Sequence, residues 1–222
     1  MNISIKNLKR SIFGLISITS IGLMGIASAA NAYTSSTANT ITVAVNPIID
    51  ISDGNSGTTT LGNITPTGAG RFSSATDALS VITNDTAGYT VTIQMAGASN
   101  TLVSGANTVA ASAATTASPA ALVVGSGTAL QTGAWGFCVP SNSGNGTYTT
   151  TFGTCDGTNS SVAMTSGLYA PVPLAGAPFT LFNTSSSSVS TYTTTVTFAA
   201  AVNNGQASGT YTGTVVFTAI AT

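Results

Sequence analysis

The chain has five carboxylate side chains, Asp50, Asp53, Asp77, Asp85 and Asp156, and neither Glu nor His. Its cations are Lys6, Lys9, Arg10 and Arg71. A carboxylate pair could hydrolyse a glycosidic bond, and clustered carboxylates could hold calcium through six to eight oxygens. A Ser or Thr nucleophile would need a neighbouring His or Lys as base. The residues meet none of these demands. Asp50-Ile51-Ser52-Asp53-Gly54-Asn55 offers three oxygen side chains around a turn but lacks the EF-hand spacing, and it reads as a solvated turn. Asp85 and Asp156 sit among Asn, Gly and Thr and read as turn formers. No Asp-Thr-Gly or Asp-Ser-Gly of an aspartic protease occurs. The expectation is a protein that is not an enzyme, with no catalytic residue, no cofactor and no metal.

Three of the four cations fall within the first ten residues. An apolar run from Ile12 to Ile26 follows, then Ala27-Ser28-Ala29-Ala30-Asn31-Ala32. This basic, apolar, small-residue order is that of a cleaved secretory signal. The run is shorter than the roughly 20 apolar residues of a spanning helix. We expect a signal peptide over 1–32, a mature chain of 33–222 beginning at Tyr33, and no membrane span in that mature chain. Arg71 is then the one cation left, so clustered basic residues for nucleic acid are missing. The expected location is extracellular or at the cell surface.

In an exported chain two cysteines default to a disulfide, here between Cys138 and Cys155. A zinc site would need more His or Cys than the sequence holds. The remaining surface is rich in Thr, Ser, Ala, Gly and Asn. Such a surface has little charge repulsion to oppose self-association.

Strand patterns carry the organisation. Ile41, Val43 and Val45 alternate, and after Pro47 the pattern resumes with Ile48, Ile49 and Ile51, predicting strand over 39–52. Ala78 to Thr83 reads as a short strand. Asn84 to Gly88 is a turn, and Tyr89, Val91, Ile93 and Met95 form one face of a half-buried strand. Residues 97–128, rich in Ala, Ser and Thr, read as a long connection with short strands. Trp135-Gly136-Phe137 leads into Cys138 as a core strand. Pro171, Pro173 and Pro178 make 169–181 irregular or an edge. Two strands, 191–200 and 210–219, share Thr-Tyr-Thr-x-Thr-Val-x-Phe-x-Ala, with Asn203-Asn204-Gly205-Gln206 as turn residues between them. Val215, Phe217 and Ala219 on one face, with Val216 and Ile220 on the other, predict a last strand inside a sheet. The fold class expected is all-β, a single antiparallel β-sandwich.

Gly209-Thr210-Tyr211-Thr212-Gly213-Thr214-Val215 resembles the closing strand of bacterial spore coat protein U-like and fimbrial-subunit proteins. Thr83-Asn84-Asp85-Thr86-Ala87-Gly88-Tyr89 through Ile93 is similar to a strand entry of uncharacterised surface proteins of candidate-phylum bacteria, and Trp135-Gly136 before a variable loop fits both groups. The resemblance implies a secreted Ig-like or jelly-roll sandwich at a bacterial cell surface. The first functional expectation is a non-catalytic structural or interaction protein, self-assembling as an envelope or pilus-like subunit. The alternative is a glycan-binding adhesin module. Most aromatics alternate with Thr in strands and read as core. Tyr148, in the Cys138–Cys155 loop, is the one expected to be exposed and is the candidate ligand contact. Expected partners are copies of the chain, or a cell-surface glycan or protein.

Overall fold

A computed structural model of the chain describes residues 40–68, 70–121, 133–140, 147–148, 152, 155, 168–185 and 188–222. The expected leader, the Tyr33 terminus and Asp156 lie outside these residues. The chain divides into two compact units, Met1–Val43 and Ala44–Thr222. Residues 40–43 are the described part of the first, and they hold no regular structure. Every described strand belongs to the second unit.

The described residues are all-β, without a helix. A six-stranded sheet runs in the order β1 (Ile49–Asp53), β2 (Arg71–Thr83), β11 (Ser188–Val202), β7 (Ala134–Cys138), β5 (Asn107–Ala111) and β4 (Leu102–Ser104). It curls into a half-barrel. A four-stranded sheet has the order β12 (Val215–Ala221), β3 (Tyr89–Met95), β10 (Phe179–Thr184) and β8 (Thr147–Tyr148). β6 (Ala120–Ala121) pairs with β9 (Leu168–Tyr169). The described strand pairings are antiparallel except β5 with β7, which is parallel. The antiparallel sandwich expected from the sequence therefore describes part of the architecture and not its curled, mixed sheet.

Periodicity explains most of the layout. β3 buries Tyr89, Val91, Ile93 and Met95 and leaves the residues between them half-buried. β7 lies inside the large sheet, and all five of its residues are buried. Phe137 faces the second sheet, meeting Phe179 of β10 at 6.2 Å and Phe152 at 5.1 Å between ring centroids, while Trp135 lies beside Phe198 of the neighbouring strand β11 at 6.5 Å. Cys138 and Cys155 form a disulfide with Cα atoms 5.8 Å apart. Closing a loop of this size contributes on the order of 3 kcal/mol in the chain-entropy model. Alkylation of the folded protein without reductant should modify neither cysteine. Quantitative labelling of both would show that the bridge is absent in solution.

Three strand bounds change, while the turn at 203–206 forms where it is expected. The strand at 39–52 shortens to Ile49–Asp53, because residues 44–48 have no described strand beside them; Ile48 N–H instead donates to Asn84 Oδ1 at 2.6 Å. The strand at 78–83 lengthens upstream to Arg71, because β11 pairs with β2 from Val202↔Arg71 to Tyr192↔Val81 and, past a register shift, at Ser188↔Thr83. The strand at 210–219 begins only at Val215, because Thr212 first bridges to Val103 by two backbone hydrogen bonds of 2.9 and 3.0 Å. Asn203 to Gln206 does turn the chain, with Gln206 N–H donating to Asn203 O, but it joins different sheets and makes no hairpin.

The largest correction concerns β12. It is an edge strand and does not lie inside the sheet. The inference from two apolar faces required cover on both. Here Val216 is 36% and Ile220 55% exposed. Apolar residues therefore stand on the exposed face of a strand that hydrogen-bonds to one described neighbour, β3, and is approached by β1.

Candidate functional site

Where β12 ends its sheet, a groove of about 1010 Å³ opens against the large sheet. Its floor is the inner face of that sheet, carrying Trp135, Phe198 and Ala200. Val215 and Phe217 of β12 form one side, and Leu61 and Ile64 of the segment after β1 line it as well. Phe217 reaches over Phe198 at 6.4 Å between ring centroids. Leu102 and Val109, from the hairpin of β4 and β5, also contribute.

Hydrogen bonds hold the strap between β11 and β12 along this groove. Tyr211 Oη donates to Ala207 O at 2.7 Å and accepts from Gln206 Nε2 at 2.6 Å. Gln206 Nε2 also reaches Thr108 O at 3.2 Å, which ties the strap to β5. Trp135 Nε1 donates to Asn100 O at 2.7 Å. With its polar atom satisfied and its ring buried, Trp135 works as floor and offers no face for a sugar to stack on.

The groove also contains two carboxyl groups that the sequence did not bring together. Asp53 ends β1, and Asp77 lies on the same inward face of β2. Register sets Asp53 opposite Leu79, so Asp77 is its diagonal neighbour, within reach across an antiparallel pair. Asp53 accepts from the N–H of Asn55 at 2.7 Å and of Gly57 at 3.1 Å, one on each oxygen. Asp77 is 2% exposed, and its Oδ1 has no hydrogen-bond partner. Burial, followed by a hydrogen bond and charge repulsion from Asp53, raises the Asp77 carboxyl to about 6. Thr59 and the Ala78 backbone oppose that rise.

Asp85 is the turn former expected, accepting from Ala87 N–H at 2.9 Å. Asp53 caps its turn as expected, but its pairing with Asp77 was missed. The available signal was parity: Asp77, Leu79 and Val81 alternate inward on one strand. Tyr89 and Tyr169 are buried, as expected of core aromatics. Tyr148 lies in β8 with its backbone opposite Phe182, and its side chain lies outside the described residues. Among the described residues no three His, Cys, Asp or Glu gather as a metal site. No helix among them is long and apolar enough to cross a membrane.

Comparison with protein-family models, curated proteins and solved structures finds no match for this chain. Function must therefore be read from the open edge and the groove beside it.

Proposed function

We propose that this protein is a non-catalytic, secreted structural subunit of a bacterial cell surface, whose copies associate through β12 and the adjoining groove. The reading takes residues 1–32 as a cleaved leader and 33–222 as the working chain, a sandwich of Ig-like or jelly-roll kind. The observation that carries it is the apolar edge. Natural sheets blunt exposed edges with Lys, Pro, bulges or a covering element. β12 contains no charged residue and no Pro, and Val216 and Ile220 stand out from it. Among the described strands β12 hydrogen-bonds only to β3, and although β1 approaches it, a strand edge beside an apolar groove is a surface to which an added strand docks.

The occupant we assign is the N-terminal segment of a second copy. Ile41, Val43 and Val45 alternate over the length of a strand in the sequence. Val45 is 75% and Ile48 63% exposed, and residues 44–48 pair with no described strand. Apolar side chains at every second position would enter the groove while the backbone extends the sheet.

Purified secreted protein, confirmed by mass to begin at Tyr33, should form concentration-dependent oligomers in light scattering and ordered assemblies in electron microscopy. Val216→Lys should weaken association at least about tenfold, because it places a charge on the docking edge, while leaving the melting temperature unchanged. A monomer at every concentration, or normal assembly after deletion of residues 33–45, would defeat the reading. Binding to a defined glycan that Tyr148→Ala abolishes would move the function to the adhesin alternative.

A further inference from the structure

We propose that Asp53 and Asp77 are a proton-sharing latch that pins the end of β1 and the turn after it onto β2 in acid and loosens them near neutral pH. The geometry assigns the roles. Asp53 already accepts a backbone N–H on each oxygen, so it is the acceptor of the pair. Asp77 is buried, carries an Oδ1 with no partner, and lies diagonal to Asp53 across the β1–β2 pair, so it is the group that holds the proton. A buried carboxylate beside a half-buried one ionises only against desolvation and repulsion, and one proton held on the buried group removes both.

The latch has a structural load. Asn55 Nδ2 donates to Thr76 O at 2.7 Å, and Gly54 N–H donates to Ala78 O at 2.8 Å. Together with the carboxyl pair, these bonds fasten residues 53–57 to the strand that supplies Asp77. The elements packed around the pair bring no compensating cation. On β1, Asp50 faces outward. The segment 54–66 and β12 contain no charged residue. β11 brings Val196 opposite Asp77, and its one titratable group, Tyr192, lies opposite Val81. Arg71 is six residues away along β2, about 20 Å at the rise of a strand.

Asp77 is raised from 3.8 to about 6, so between these values the folded chain binds more protons than the unfolded chain. The contribution to stability is then full below pH 4 and is lost as pH rises through 6. Both carboxyls line the groove, so the second charge also disfavours an apolar occupant there. That consequence rests on the association reading, whereas the latch does not.

The test uses dilute, monomeric mature protein labelled at its aspartate carboxyl carbons. One carboxyl should titrate near pH 6, and this signal should vanish in Asp77→Asn and shift in Asp53→Asn. The melting temperature of the wild type should fall by roughly 5 °C between pH 4.5 and 7.5, and that of Asp77→Asn should stay flat. Titration of every aspartate below pH 5 would overturn the latch. So would a calcium-dependent rise in melting temperature at pH 7.5 that Asp77→Asn abolishes, since the pair would then be a cation site. Because the sample is monomeric, failure of either outcome is separable from failure of self-association.

Discussion

Phe137→Ala is expected to cost about 3–5 kcal/mol, a large share of the roughly 5–15 kcal/mol that holds a domain together. Phe137 is fully buried in a strand whose residues are all buried. Its ring meets Phe152 and Phe179, and Phe198 stands opposite it in register. Its backbone N–H and carbonyl both bond to Ala170, each at 2.9 Å. Truncation would leave a cavity where both sheets and the disulfide-bearing strand converge, and a framework held on several sides cannot collapse to fill it. Urea or thermal unfolding of the secreted variant reads the loss directly.

Phe217→Ala provides the contrast. Phe217 is half-buried, leans on Phe198 and lines the groove. Its removal should cost roughly 1–2 kcal/mol in the monomer, because much of the ring already meets solvent. If the two variants lose equal stability at low protein concentration, β12 is covered in solution and the open groove is wrong. If Phe217→Ala loses more as concentration rises, its partner is another copy, as mass action requires.

Local patterns were legible in the sequence, while pairings between distant segments were not. β3 emerged with its burial alternation because a strand half-covered by one core writes that alternation into its residues. β7 and the Cys138–Cys155 pair were readable for similarly local reasons, whereas the stretch 169–181, read as irregular or an edge, ends in β10, which lies between β3 and β8. The ends of β2 and β12 were not. β2 continues to Arg71 because β11 is there to pair with it, and Ser73 and Ser74 give no apolar signal of that length. β12 starts late because Thr212 is taken by Val103, which is distant in sequence. The interior placement of β12 failed because apolar residues on both faces record a need for cover without saying whether the same chain supplies it. The groove was illegible for the same reason. The Asp53–Asp77 pair depends on the register between β1 and β2, which a one-residue slip would abolish.

Gly88→Ala should prevent accumulation of folded protein, although it adds a single methyl group. Gly88 has φ of +96°, in a region that L side chains rarely adopt. Holding Ala there costs roughly 1–3 kcal/mol. A Cβ at this position would also overlap the backbone carbonyl of Thr184. That carbonyl is not free to move aside. Thr184 is paired opposite Tyr89, and its hydroxyl accepts from Tyr89 N–H at 3.1 Å. On the other flank, Thr222 N–H donates to Gly88 O at 3.1 Å, next to the pairing of Ala221 with Tyr89. Gly88 thus stands where β3 enters between β10 and β12, and relieving the overlap would separate β3 from at least one of them. Forced displacement in a packed site adds roughly 1–3 kcal/mol. Gly176→Ala isolates the backbone contribution, since Gly176 has φ of +85° and nothing within 4 Å of a built Cβ. It should lower stability by the conformational strain alone and leave a folded, secreted protein. Equal losses in the two variants would show that Thr184 yields, and that the entry to β3 is less constrained than its neighbours imply. A much larger loss at Gly88 would locate the tightest backbone packing of the four-stranded sheet at the turn where β3 begins.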